Sequence, residues 1–240
     1  MKQRFLIPPR GLPQLTADAL RVAGLLSVIA AVVWWTPTDA GVLAFVLLGL
    51  VIPRFLGMTA WLDLWACTAL LVAGWSSVLD LYRAIEWWDL AVHATANGAT
   101  AAMAYLLLVR GGAVTAVERS LRWLVVFLCT SLGLAGGAVW ELLEWAGHTL
   151  LDDSIFVAYD DTIGDMAAGA LGSIVAGMLI AWLPALRPDP PESSSGWKHP
   201  ATGLSRSQPP AAQMETVHMD GSEAAPDAAQ EGQRAGERSR

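Results

Sequence analysis

Charge is what this chain is short of. Only 15% of its 240 residues are Asp, Glu, Lys or Arg, where soluble domains carry about 25%. Cysteine is scarcer still. Cys67 and Cys129 each sit inside an apolar run, without a CxxC partner, and read as packed thiols rather than a disulfide or a cysteine metal site. P-loop, GxSxG, HExxH and dinucleotide fingerprints are all missing. With a net charge of −7 and no basic patch interleaved with aromatics, nucleic acid is excluded as a partner. Tyr and Phe are few, at three and five, against twelve Trp. Many of the tryptophans (Trp34, Trp35, Trp61, Trp87, Trp88, Trp123, Trp145, Trp182) stand near the ends of apolar runs, where interfacial aromatics gather.

What the chain does have is apolar length. Six runs, near 20–36, 41–58, 60–80, 87–109, 121–150 and 162–184, read as membrane-spanning helices. A crossing needs about 20 residues at 1.5 Å each. The first run ends in Trp34-Trp35-Thr36-Pro37 without a small-x-small cleavage pattern, so it reads as an uncleaved span. The second is interrupted by Pro53 and Arg54; Arg54 is expected to snorkel to the interface. Glycines 133, 136 and 137, and then 164, 169, 172 and 177, predict close helix contacts in the fifth and sixth spans. Residues 1–186 therefore form a polytopic all-α membrane domain. From 187 to 240, Ser, Pro, Gly, Ala and mixed charges predict a disordered cytoplasmic tail.

Basic residues orient the spans. Lys2, Arg4, Arg10 and Arg21 precede the first, Arg54 lies between the second and third, and Arg110, Arg119 and Arg122 lie between the fourth and fifth. Arg187 follows the sixth. All fall on one side of a six-span layout, which makes both termini cytoplasmic. The other side has Arg83 alone against Asp39, Asp80, Glu86, Asp89, Glu141, Glu144, Asp152, Asp153, Asp160, Asp161 and Asp165.

That topology brings three polar stripes to one depth. Asp89 and His93 enter on the fourth span, with Asn97 a turn deeper. Glu141, Glu144 and His148 leave on the fifth, and Asp161 and Asp165 enter on the sixth. Within each stripe the spacing is three or four residues, so each helix turns one polar face inward. Ionisable groups inside a membrane cost roughly 2.5–3.5 kcal/mol each on insertion scales, so they are kept for a partner or a use.

Bundle proteins build metal sites from carboxylates and histidines on facing helices. An oxygen-rich set of Asp89, His93, Glu141, Glu144, Asp161 and Asp165 suits divalent Zn, Mn or Fe better than Cu. Three readings follow: a metal-dependent enzyme acting on a lipid or envelope metabolite, with Glu141 and Glu144 as catalytic groups; a proton- or ion-coupled carrier; and a structural or partner-binding network. The inner halves of spans four to six are apolar (Leu106, Leu107, Val125, Val126, Ile174, Val175), which counts against a carrier path. Asp160 or Asp161 also reads as a cap for the sixth span. His148 reads equally as an interfacial histidine.

Three motifs carry a resemblance: Trp88-Asp89-Leu90-Ala91-Val92-His93, Trp140-Glu141-Leu142-Leu143-Glu144-Trp145 and Asp161-Thr162-Ile163-Gly164-Asp165-Met166. In these, across about 88–172, the chain resembles the YjdF-like family of uncharacterised bacterial inner-membrane proteins. Some members have Arg directly after the first Asp, where this chain has Leu90. The resemblance implies the fold and a multi-pass place in the bacterial inner membrane, with lipid as surroundings, and no activity or protein partner.

Overall fold

The computed structural model describes residues 5–6, 8–9, 11–114, 121–151, 153 and 155–187. Seven helices account for nearly all of them: α1 Leu12–Trp34, α2 Pro37–Leu56, α3 Ala60–Val78, the single turn α4 Leu81–Ala84, α5 Trp88–Arg110, α6 Arg122–Leu150 and α7 Tyr159–Trp182. All but α4 are long and apolar enough to cross a membrane. Among the described residues no strand forms, only one bridge between Met58 and Leu186. Of the tail expected over 187–240, only Arg187 lies among the described residues.

Most helix boundaries follow from local chemistry. α1 starts eight residues before the apolar run predicted from the sequence, because Pro13 falls in its first turn, where a missing N–H costs nothing. Arg21 is therefore inside the span and not before it. α2 opens on a capping box: Thr36 accepts from the Asp39 N–H while Asp39 accepts from the Thr36 N–H. Pro53 is absorbed in its last turn, and Gly57 ends it in the left-handed region at φ 68°. α7 begins at Tyr159 after Ala158, which makes no side-chain cap bond. Asp160 and Asp161 thus sit in the first turn, where negative charge favours the helix dipole, and neither is the cap.

The helices pack as two groups of three, α1–α2–α3 and α5–α6–α7, joined mainly through α3 against α5 and to a lesser extent through α2 against α5. Lipid tails are as apolar as leucine, so helices in a bilayer associate by close packing of small residues rather than by the hydrophobic effect. The α5–α7 contact is built that way. A Cβ on Gly172 would collide with the Ala94 carbonyl, and one on Gly98 would stand 2.8 Å from the Gly172 carbonyl oxygen. Gly133, Gly137, Gly169 and Gly177 are similarly crowded, as the sequence predicted; Gly136 and Gly164 are not, with only Thr100 Cγ2 at 3.9 Å and Leu90 Cδ2 at 3.4 Å beside them. Leucines and valines such as Leu25, Leu26, Val32 and Leu171 face outward to form the lipid-contacting surface, with Trp34, Trp87 and Trp123 exposed near helix ends.

The end opposite the predicted cluster holds a charged network. Arg21 of α1 pairs with Asp18 at 2.8 Å and with the fully buried Asp63 of α3, and donates to the Leu50 carbonyl. Arg54 does not snorkel outward. It is buried, meets Asp18 at 3.3 Å and donates from Nε to the Phe5 carbonyl, because a carboxylate and a carbonyl solvate it better than the apolar exterior would. Arg110 closes the same end by donating to the carbonyls of Leu56 and Arg187. The chain after α7 returns across the α2–α3 turn, where the Arg187 N–H donates to the Gly57 carbonyl at 2.8 Å.

Candidate metal centre

The cluster is assembled by the tight α5–α7 approach. Because Gly172 lets α7 lie directly on α5 near Ala94, the first turns of both helices are held side by side. Asp89 and His93 occupy successive turns of α5, and Asp165 reaches in from α7. His93 Nε2 stands 3.3 Å from Asp89 Oδ1 and 3.8 Å from Asp165 Oδ2. One ligand atom from each of the three falls within 4.8 Å of the others. His93 and Asp165 are buried, at 8% and 3% exposure, and Asp89 is partly so.

These carboxylates are poorly provided for. Asp165 Oδ1 has neither solvent contact nor a hydrogen-bond partner among the described residues. Asp89 Oδ1 is at ion-pair distance from His93 but lacks hydrogen-bond alignment. Leaving a buried acceptor unpaired costs about 1–3 kcal/mol, and more for a charged one. Two ligands about 2.0–2.2 Å from one ion stand at most ~4.4 Å apart. In a tetrahedral site the ligands stand ~3.4 Å apart, so side chains whose ligand atoms lie within 4.8 Å of one another would draw together on a shared cation.

Glu141, Glu144 and Asp161 surround the triad without joining it. Glu141 lies near the Thr162 side chain of α7, and Glu144 near the Trp140 side chain on its own helix. The charges of all three reach His93. Asn97 lies one turn below the triad, wedged between Gly137 and Gly169. His148 is held elsewhere: its Nδ1 is 2.7 Å from the Ile155 carbonyl oxygen, tying the end of α6 to the loop that follows. Asp80, Glu86, Asp153 and Asp160 are exposed. Asp152 lies outside the described residues.

One neighbour of the cluster is not legible in the sequence. Tyr82, on the single turn α4, places its ring 6.5 Å from that of His93 and donates to the Ala73 carbonyl at 2.9 Å. Burial holds its phenol above the ordinary tyrosine range, and the Asp89, Glu144 and Asp165 carboxylates add to that. It therefore stays a donor beside the carboxylates. A lone tyrosine in a short connection gives no periodic signal. Trp88 fixes the entry of α5 by donating from its indole to Ser76 Oγ of α3 at 2.9 Å.

No curated protein and no solved structure matches this chain. A family model described as "Predicted membrane protein (DUF2238)" matches residues 14–185, which take in all six spans and every cluster residue. That is the family of the YjdF-like proteins whose motifs the chain shares. By this match the chain belongs to the DUF2238 family of multi-pass membrane proteins.

Proposed function

We propose that the protein is a metal-dependent membrane enzyme acting on a lipid or envelope metabolite, with Asp89, His93 and Asp165 as the central ligands of a divalent cation. The observation that carries this reading is the convergence of those three groups with Asp165 Oδ1 shielded and unpaired. Glu141, Glu144 and Asp161 complete the ligand set or, for Glu141 and Glu144, serve as the general base at its edge. A bound cation would neutralise carboxylates that otherwise repel one another. It would also polarise a substrate oxygen or activate water.

The carrier reading has less support. The second buried charged network, around Arg21 and Asp63, belongs to α1 and α3, on the other group of helices and at the opposite end. The walls between the two are largely apolar, with Leu48, Ile52, Leu70 and Met103 among them.

Elemental analysis of the full chain, purified in detergent without chelator, tests the proposal. It expects about one divalent ion per chain, lost on chelation and recovered on adding Zn or Mn. Protein that contains no stoichiometric metal and takes none up sinks the reading.

A further inference from the structure

A cavity of about 260 Å³, lined at its cluster end by His93 alone of the three central residues, runs into the apolar depth of the bundle between α2 and α6. The backbones of these two helices do not pack against each other among the described residues. They meet across the gap through the Phe45 and Trp140 rings, 6.3 Å apart. α3 and α5 form the back wall. We propose that this cavity holds the hydrocarbon chain of a membrane lipid whose phosphate headgroup sits at Asp89, His93 and Asp165, entering sideways from the bilayer between α2 and α6. The proposal rests on the metal reading above, because only a bridging cation lets an anionic phosphate settle among carboxylates.

Three observations select a lipid chain as occupant. The first is polarity by depth. His93, Tyr82 and Ser77 line the end of the cavity at the cluster, with Asn97 one turn deeper, while Leu48, Ile52 and Met103 line its depth. Thr100, also on the wall, spends its hydroxyl on the Ala96 carbonyl of its own helix. An occupant therefore needs one polar end and an apolar remainder. The second is length. His93 to Met103 spans ten residues of α5, about 15 Å. That is about half of the ~30 Å hydrocarbon core, the reach of a chain from one leaflet. The third is the medium. The gap between α2 and α6 opens at membrane depth, where the surrounding solvent is lipid. Apolar cavities stay dry, with one of about 150 Å³ known to take up benzene, so an apolar guest is favoured over water here.

The test uses the full chain in vesicles of phosphatidylethanolamine and phosphatidylglycerol, doped with phosphatidylglycerol carrying a mid-chain diazirine. After illumination, adducts are mapped by peptide mass spectrometry. They are expected to concentrate on the segments of α2 containing Leu48 and Ile52 and of α6 containing Gly136 and Val139, above outward residues such as Leu25 and Leu171. Gly136 lines the cavity and has room for a side chain. Gly136→Leu should cut those adducts at least about tenfold while metal content stays at the wild-type level. Gly136→Ala should keep both.

Adducts spread evenly over lipid-facing residues in the wild type overturn the proposal, whatever the variants do. So do cavity adducts that survive in Gly136→Leu. Concentrated adducts in a protein without metal would place a chain in the cavity but overturn the phosphate headgroup and the metal reading together. Metal with even adducts overturns the lipid chain alone.

Discussion

Arg21 of α1 and Asp63 of α3, forty-two positions apart, form an ion pair in which Asp63 has no solvent exposure. A buried charge is kept only with a partner. Removing one member leaves the other uncompensated at a cost of about 3–5 kcal/mol, while replacing both with apolar groups is often neutral. Arg21→Met should therefore lower the melting temperature in detergent markedly, and Arg21→Met with Asp63→Leu should recover most of the loss. A single variant that melts like wild type would remove the pair from the account of stability.

Packing of α6 and α7 on α5 predicts opposite outcomes for two glycines equivalent in the sequence reading. Gly172→Ala drives a Cβ into the Ala94 carbonyl, a backbone atom that moves only with its helix. Overpacking of this kind costs about 1–3 kcal/mol. Gly136→Ala meets only Thr100 Cγ2 at 3.9 Å and should leave stability unchanged or raise it through better helix propensity. Thermal unfolding followed by tryptophan fluorescence separates the two. Equal melting temperatures would contradict the packing described.

Six spans put the start of α1 and the end of α7 on one side of the membrane, and the bias of basic residues predicts that this side is cytoplasmic. A reporter active only in the cytoplasm should work when fused after Leu186 and fail when inserted between Leu151 and Tyr159. The reverse pattern would move the cluster to the cytoplasmic face.

Much of this architecture was legible because membrane helices write themselves in apolar length and the cluster writes itself in helical spacing. Asp89–His93 and the position of Asp165 could be read as inward stripes at one depth. Which carboxylates touch could not, since spacing fixes a face but not the rotation of that face against its neighbour. Glu144 and Asp165 were equal candidates in the sequence. Only the fit of Gly172 against Ala94 brings Asp165 onto His93 and leaves Glu144 a step away. Arg21, Arg54 and Asp63 were misjudged or passed over for a related reason. Charges near a span end look like ordinary interfacial residues until a partner on another helix is known.

Graded ligand variants decide how the six cluster residues divide their work. If the cation is held centrally by Asp89, His93 and Asp165, then Asp89→Asn, His93→Ala and Asp165→Asn should each abolish stoichiometric metal. Glu141→Gln, Glu144→Gln and Asp161→Asn should weaken binding by about 10–100-fold, as outer partners of metal sites do. Affinity for added Zn or Mn should fall as pH is lowered, because a histidine and carboxylates must shed protons to ligate. The neutral amide variants keep side-chain shape, so a loss of metal at unchanged melting temperature reports ligation and not packing. The converse separates the structural reading. If Asp165→Asn raises the melting temperature and no variant changes metal content, the cluster is an uncompensated set of charges, and relief of their repulsion is what the variant measures.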